Sequence, residues 1–238
     1  FEKEKRIKKI SNKVITIDDL ARRNFCCDVL INYNPEINHH KYNSKITQNT
    51  KLLLGRNYNF ILNFKKTKKK INNKINVLIY FGTKNRSDFL KTKILDKLIK
   101  NKKYINKITI LSQYKFNHKH FNINFKYTKN NNIILKEIEN SNVCILSSGI
   151  IIYEALSYKK IIFSQAISNN QLPHYRYLLK NKLIFSTRDL EELSFNRKLT
   201  NQLNEFRNEP EIYYDKSKIL QLIVNPIKDS SNKDIYLE

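Results

Sequence analysis

An apolar strand, a turn of small residues and a helix follow one another within residues 142–158, which read NVCILSSGIIIYEALSY. Residues 142–146 predict a buried strand, and the isoleucines from Ile150 onward predict a helix. Residues 147–149 then form the strand-to-helix turn, which holds one of the three glycines of the chain. Such a turn presents backbone N–H groups and the positive end of a helix dipole, which suit an anion. Two interpretations follow, a phosphate site or a plain connection between two elements.

Strands and helices alternate on both sides of this turn. The pattern predicts strands over residues 76–81, 107–113, 123–127 and 160–165, and helices over 88–101, 132–140, 150–158, 172–181 and from about 190. This alternation indicates a parallel, doubly wound α/β sheet. Ligands bind such sheets at the carboxyl ends of the strands. Gly82, the 147–149 turn and residues 169–171 all fall there.

The first 70 residues show shorter elements. They predict a basic helix over residues 1–12, strands at 13–17, 27–32 and near 51–61, and a polar loop over 33–48. Residues 64–75 are mostly lysine, asparagine and threonine, which is typical of a linker. We therefore expect an N-terminal domain over 1–70 and a C-terminal domain over 71–238.

Charge is the most unusual feature of the composition. The 238 residues contain 45 Lys and Arg against 21 Asp and Glu, a formal net charge of +24, with 40% hydrophobic residues. Such a charge suggests nucleic acid or an anionic surface as a partner. The lysines are spread along the whole chain, however, and the run at 65–70 falls in the linker. A basic nucleic-acid-binding protein stays an alternative, but it should gather aromatic and basic residues on one sheet face. We expect no nucleic-acid partner.

Cysteine and histidine positions bear on compartment and metal binding. Cys26, Cys27 and Cys144 lack zinc-like spacing and indicate a reduced, cytoplasmic setting. No apolar stretch approaches the roughly eighteen residues needed to cross a bilayer, and no signal peptide opens the chain, so we expect no membrane partner. The five histidines are expected at the surface, and nothing requires a metal or a cofactor. Because the chain begins with Phe1 and contains no methionine, we expect a fragment of a longer protein.

Six pieces of sequence occur in the order found in a known family. They are Ile17-Asp18-Asp19, Cys27 to Asn34, Leu54-Gly55 with Tyr58, Phe81-Gly82-Thr83, Ser148-Gly149 with Tyr153-Glu154, and Asn170-Gln171. Together they resemble the UDP-sugar hydrolases of pseudaminic acid biosynthesis, which remove UDP from UDP-2,4-diacetamido-2,4,6-trideoxy-β-L-altropyranose. These enzymes are related to glycosyltransferase-B proteins such as MurG. The resemblance runs from residue 13 to residue 185 and implies two Rossmann-like doubly wound domains, of which the N-terminal one is incomplete.

The resemblance also implies a UDP site and a reaction. It places Glu154 at the ribose hydroxyls, although an acid in the first turn of a helix also interacts favourably with the dipole. It places Ser148, Gly149 and the backbone of Ile150 at the diphosphate. The alternative for Ser148 and Gly149 is that they simply permit a tight turn. The first alternative to a hydrolase is a MurG-like glycosyltransferase, which uses the same nucleotide site and passes the sugar to an acceptor.

Other residues approach the sugar in this reading. Gly82 and Thr83 resemble the facing loop near the sugar phosphate. Asn170 matches an asparagine beside the sugar and the attacking water, and Gln171 joins the substrate site. A plain N-cap of the helix that starts near Leu172 is the alternative role of Asn170. Asp18 and Asp19 either line the interdomain cleft or end a strand.

Four positions depart from the family pattern. Phe81 replaces a glycine, Lys84 an aspartate, and Ile150 and Ile151 replace serine or threonine. Hydroxyl donors to a diphosphate are lost, whereas backbone N–H groups remain and Lys84 adds a positive charge. The family carries its catalytic histidine in a glycine-rich loop that would precede residue 1. We therefore expect this chain to keep a UDP site, to lack the catalytic base and to be inactive by itself.

Overall fold

A computed structural model describes residues 1–58, 74–82, 87–100, 105–112, 123–127 and 130–190. The described residues fall into two compact units, one within residues 1–58 and the other within 74–190. Over these ranges no helix is both long enough and apolar enough to cross a membrane.

The N-terminal unit is a small parallel sheet with one helix. Helix α1 spans Glu2–Lys8, and strands β1 (Ile15–Ile17), β2 (Val29–Asn32) and β3 (Lys51–Leu54) pair in that order. Short 3-10 helices cover His39–Lys41 and Arg56–Tyr58. The chain turns at Gly55, whose φ of 98° lies in the region that favours glycine. The predicted third strand therefore ends at Leu54, and its expected continuation through residues 59–61 lies outside the described residues.

Helix α1 carries a buried acid that its basic sequence conceals. The carboxylate of Glu4 accepts hydrogen bonds from the hydroxyl of Thr16 at 2.9 Å and from the N–H of Cys26 at 2.8 Å. It also pairs with Arg23 Nη1 at 3.1 Å. These contacts tie α1 to β1 and to the segment before β2.

The C-terminal unit contains a parallel sheet of six strands. Its strands are β4 (Ile75–Tyr80), β5 (Ile105–Ser112), β6 (Ile123–Tyr127), β7 (Val143–Ser147), β8 (Ile161–Gln165) and β9 (Phe185–Ser186), and their order is β6-β5-β4-β7-β8-β9. Its helices are α2 (Ser87–Lys100), α3 (Asn131–Asn140), α4 (Ile151–Ser157) and α5 (Leu172–Lys180). The predicted doubly wound parallel sheet is confirmed. The two-residue strand β9 was not predicted, because so short an element has no periodicity.

Apolar runs place the central strands inside this unit. Strands β4 and β7 are buried along most of their length, as expected for parallel strands covered on both faces. Ile94, Leu95 and Leu98 of α2 pack in the same core as Phe81, which is fully buried. The sheet is wound outward from β4 through β5 and β6, and the chain then crosses back to β7. The switch point lies between β4 and β7, where such sheets bind ligands.

Asparagine side chains fix the opposite, amino edge of this sheet. The N–H of Asn76 donates to Asn142 Oδ1 at 2.8 Å, and the amide of Asn106 donates to Asn76 Oδ1 at 2.9 Å. The three asparagines thus join the starts of β4, β5 and β7.

Candidate functional site

Two of the predicted loops lie side by side at the switch point. Tyr80 at the end of β4 is in register with Leu146 of β7, so the turn at Gly82 and the turn at Ser148 leave the sheet at the same edge. Gly82 has a φ of 77°, which only glycine adopts without strain. Thr83 and Lys84 lie outside the described residues.

Ser148 is part of the fold's own hydrogen bonding. Its hydroxyl is fully buried and lies 2.7 Å from that of Ser164, which donates to the carbonyl of Leu146 at 2.8 Å. The N–H of Ser148 donates to the carbonyl of Gln165 at 3.2 Å. This geometry engages both the hydroxyl and the N–H of Ser148 within the fold, so any part of Ser148 in a diphosphate site is to leave space beside the backbone, as the resemblance implies. The hydrogen bonds of Ser148 to Ser164 and Gln165 hold the turn against β8.

The backbone just beyond Ser148 is differently placed. Among the described residues, no hydrogen-bond acceptor is recorded for the N–H groups of Gly149, Ile150 and Ile151. Gly149 does not have a positive φ, and a Cβ atom built on it would lie 3.5 Å from Gln171 Nε2. The tight-turn interpretation therefore does not explain this glycine. Ile150 is 42% exposed beside it.

A 3-10 turn over Asn169–Gln171 brings the next predicted site residues to Gly149. Gln171 Oε1 accepts a hydrogen bond from the N–H of Ile167 at 3.1 Å, which holds the side-chain amide across the turn. Asn170 Oδ1 accepts from the hydroxyl of Ser168 at 2.6 Å. The N-cap of α5 is Gln171, without a side-chain capping bond. Asn170 is therefore not the N-cap of α5.

Glu154 lies in the first turn of α4 and is only 5% exposed. Charged side chains are almost never buried without hydrogen-bonding or ionic partners. A carboxylate that interacted only with the helix dipole would therefore be expected at the surface. Glu154 and the turn at Gly149 belong to the same β7–α4 connection. The structure therefore places a buried carboxyl group five residues after Gly149 in the chain.

Tyr153 and His174 connect the two helices of the site. The hydroxyl of Tyr153 lies 2.7 Å from His174 Nδ1, and the rings meet edge to face with centroids 5.6 Å apart. Tyr153 is fully buried and His174 is 4% exposed. The expectation of a surface position for His174 was wrong. The buried face of α5 consists of His174 and Leu178, a helical spacing of four that could have revealed this burial.

Asp18, one of the two acids expected either to line the interdomain cleft or to end a strand, forms hydrogen bonds within the N-terminal unit. Asp18 Oδ2 accepts hydrogen bonds from the N–H of Ala21 and from the hydroxyl of Tyr42, both at 2.6 Å. The same hydroxyl accepts from Asn32 Nδ2 at 2.6 Å. Burial, followed by the hydrogen bond to Asp18, raises the pKa of Tyr42 above its ordinary value. Tyr42 is fully buried although the sequence around it predicts a polar loop.

The thiols and the metal-ligating groups do not form a centre in the described part of the chain. No group of three or more His, Cys, Asp or Glu side chains that could hold a metal occurs among the described residues.

The two buried thiols have raised pKa values. Burial raises the pKa of Cys27 to about 11 and that of Cys144 to about 12. Both thiols are therefore protonated and poorly reactive at neutral pH.

Comparisons with known proteins bear on the fold. No protein-family model matches the chain, and no curated protein matches it significantly. A UDP co-structure of MnaA from S. aureus matches with a TM-score of 0.57 at 12% identity, covering 89% of this chain and 63% of that one. MurG from Acinetobacter baumannii matches with a TM-score of 0.52 at 12% identity, covering 94% and 69%. Against three further matched structures the chain spans about half their length, 46 to 55%. The chain thus has a parallel α/β fold of the glycosyltransferase-B type, and the predicted fold class is confirmed.

Proposed function

We propose that the C-terminal unit holds the UDP portion of a UDP-sugar at the carboxyl ends of β4 and β7. The observation that carries this proposal is the convergence of Gly82, Gly149 and Gln171 on one edge of the sheet, with Glu154 buried in the helix that follows Gly149. Backbone N–H groups of Gly149 and Ile150 bind the diphosphate, and the carboxylate of Glu154 accepts hydrogen bonds from the ribose hydroxyls. The matched MnaA structure contains UDP, which supports this choice of ligand.

The proposed reaction is hydrolytic removal of UDP from a UDP-linked 2,4-diacetamido-2,4,6-trideoxy sugar in a reducing, cytoplasmic setting. In this mechanism the backbone N–H groups stabilise the negative charge that grows on the departing diphosphate. Asn170 positions the attacking water, and Gly82 and Thr83 approach the sugar phosphate. The sequence motifs support this reaction.

A MurG-like glycosyltransferase is the second candidate, and the match to MurG supports it. The nucleotide site would be the same, because both reactions expel UDP. The two reactions differ in their need for an acceptor. In a coupled assay of a longer protein that includes the expected catalytic base, hydrolysis releases UDP and free sugar in buffer alone, whereas transfer releases UDP only when an acceptor is added.

Titration calorimetry of the 238-residue chain with UDP, 2′-deoxy-UDP and uridine tests the nucleotide site. UDP should bind more tightly than uridine because the diphosphate adds contacts with backbone N–H groups. Equal or undetectable binding of UDP and uridine by the folded chain would contradict the proposal.

Glu154→Gln should weaken UDP binding by about 1–3 kcal/mol, the range for losing a charge-assisted hydrogen bond. The loss should be smaller for 2′-deoxy-UDP, which lacks one of the two hydroxyls. Glu139→Gln is the matched control, because Glu139 lies near the end of α3, at the amino edge of the sheet, and the change in net charge is the same. An unchanged UDP affinity in Glu154→Gln would return Glu154 to a purely structural role.

A further inference from the structure

The hydrogen-bonded pair of Tyr153 and His174 lies one helical turn behind the contact between Gly149 and Gln171. Tyr153 lies in α4, four residues after Gly149, and His174 lies in α5, three residues after Gln171. Both side chains are buried, and their polar atoms are 2.7 Å apart. The pair therefore joins the two helices that follow the turns of the candidate site.

We propose that Tyr153 and His174 are positioning residues that hold the Asn169–Gln171 turn against Gly149 and thereby set the affinity for the nucleotide. This role rests on the proposed function, because the position of the turn can affect affinity only if a nucleotide binds beside it. Neither residue touches the ligand in this arrangement. They fix the position of the Gln171 side-chain amide, and this position determines how much space is left beside the backbone of Gly149.

A packing role alone would not require this chemistry. Two apolar side chains of similar volume would fill the same space, whereas a buried hydroxyl and imidazole lose their hydration and require hydrogen-bond partners, of which this pair supplies one for each. A hydrogen bond also demands one distance and one orientation, so it selects one placement of α5 relative to α4. The 3-10 turn lies directly before α5, and its position follows that of the helix.

The expected consequence is a change in the fraction of molecules with a competent site. When the hydrogen bond is lost, α5 and the turn sample other positions, and the apparent affinity falls by the fraction that remains competent. Losing one neutral hydrogen bond corresponds to a factor of about three to ten. Tyr153→Phe should therefore weaken UDP binding by about three- to tenfold.

His174 allows a sharper comparison between a variant that keeps a polar atom and one that does not. Asparagine carries a polar atom at the δ position and can keep the hydrogen bond to Tyr153, whereas leucine has a methyl group there. His174→Asn should bind UDP within about twofold of the original chain, and His174→Leu should lose about three- to tenfold. In the double variant Tyr153→Phe/His174→Leu the loss should be no greater than in either single variant, because the two residues act as a unit.

Tyr158→Phe is the matched control. Tyr158 is also a buried tyrosine, but it lies at the other end of α4, at its C-cap. Removing its hydroxyl should leave UDP affinity unchanged even if the melting temperature falls. A general loss of stability would instead weaken binding in Tyr158→Phe as well.

A second readout separates this inference from the proposed function. In isotope-labelled protein, nuclear Overhauser contacts between the Gly149 α-protons and the Gln171 side-chain amide report on the turn without any ligand. These contacts should persist in His174→Asn and Tyr158→Phe and disappear in Tyr153→Phe and His174→Leu. If the original chain binds no UDP, the proposed function fails, and these contacts still decide the positioning role. Intact contacts in Tyr153→Phe and His174→Leu, or equal UDP affinity in the Asn and Leu variants, would overturn the inference.

Discussion

The side-chain amide of Gln171 lies across from Gly149, so that a Cβ atom on this glycine would be 3.5 Å from Gln171 Nε2. This separation is an ordinary van der Waals contact, and the backbone of Gly149 is not left-handed. Alanine therefore fits the fold at this position. A methyl group would nevertheless add bulk beside the backbone N–H groups of Gly149 and Ile150, to which the proposed diphosphate binds.

Gly149→Ala should consequently separate stability from binding. We expect the free energy of unfolding to stay within about 1 kcal/mol of the original value, and UDP affinity to fall by about tenfold, which corresponds to about 1.4 kcal/mol. Gly82→Ala should lose about 1–2 kcal/mol of stability, because its φ of 77° strains any side chain. Urea unfolding and calorimetry measure the two effects. Unaltered UDP binding in Gly149→Ala would remove the diphosphate from this turn.

Ser148→Ala should show the opposite behaviour. The hydroxyl of Ser148 is bonded to Ser164 inside the fold, so its loss should lower the free energy of unfolding by about 0.5–1.5 kcal/mol. UDP affinity should stay within about twofold of the original, provided that the variant is folded at the assay temperature. A tenfold weaker affinity without a loss of stability would show instead that this hydroxyl reaches the ligand.

Tyr42→Phe tests the polar cluster of the N-terminal unit. The substitution removes the hydroxyl that joins Asp18 to Asn32 and leaves the fully buried amide of Asn32 without this acceptor. We expect the free energy of unfolding to fall by about 1–3 kcal/mol, as measured by urea denaturation. Tyr175→Phe, in the other unit and partly exposed, is the control and should change stability by less than about 0.5 kcal/mol. Equal effects of the two substitutions would contradict the structural role of Tyr42.

The carboxyl of Glu4 makes the N-terminal unit sensitive to acid. Burial alone would raise the pKa of Glu4, but hydrogen bonds from Cys26 and Thr16 and the charge of Arg23 lower it below the ordinary value of 4.5. A carboxyl with a lowered pKa in the folded state stabilises the fold fully above that ordinary value, and this stability is lost as the pH falls through the lowered pKa.

Glu4→Gln should therefore destabilise the chain at neutral pH and flatten the dependence of stability on pH below about 4.5. Glu2→Gln is the control on the same helix, because the side chain of Glu2 is 75% exposed and pairs only with Lys5 among the described ion pairs. Denaturant titrations from pH 7 down to about pH 3 measure both variants. Parallel curves for the original chain and Glu4→Gln would exclude this role for Glu4.

Much of the fold could be predicted from local patterns. Apolar runs such as 143–146 and the helical spacing of Ile94, Leu95 and Leu98 are properties of short segments, so they predicted the described strands and helices of the C-terminal unit within a few residues, β9 excepted. The helix expected from about residue 190 lies outside the described residues. The edge that carries Gly82, the 147–149 turn and residues 169–171 followed as well, because parallel strands end on the same side of a sheet.

The partners of buried polar groups were decided by the tertiary structure. Ser148 meets Ser164, and Glu4 meets Cys26, across 16 and 22 residues of chain. Tyr42 reaches Asp18 across 24 residues and His174 reaches Tyr153 across 21. The sequence determined which segments are apolar enough to become strands and helices, because periodicity depends on neighbouring residues alone. Which hydroxyl, carboxylate or imidazole is left for a ligand depends on the register between distant elements, and only the folded chain brings those groups within hydrogen-bonding distance.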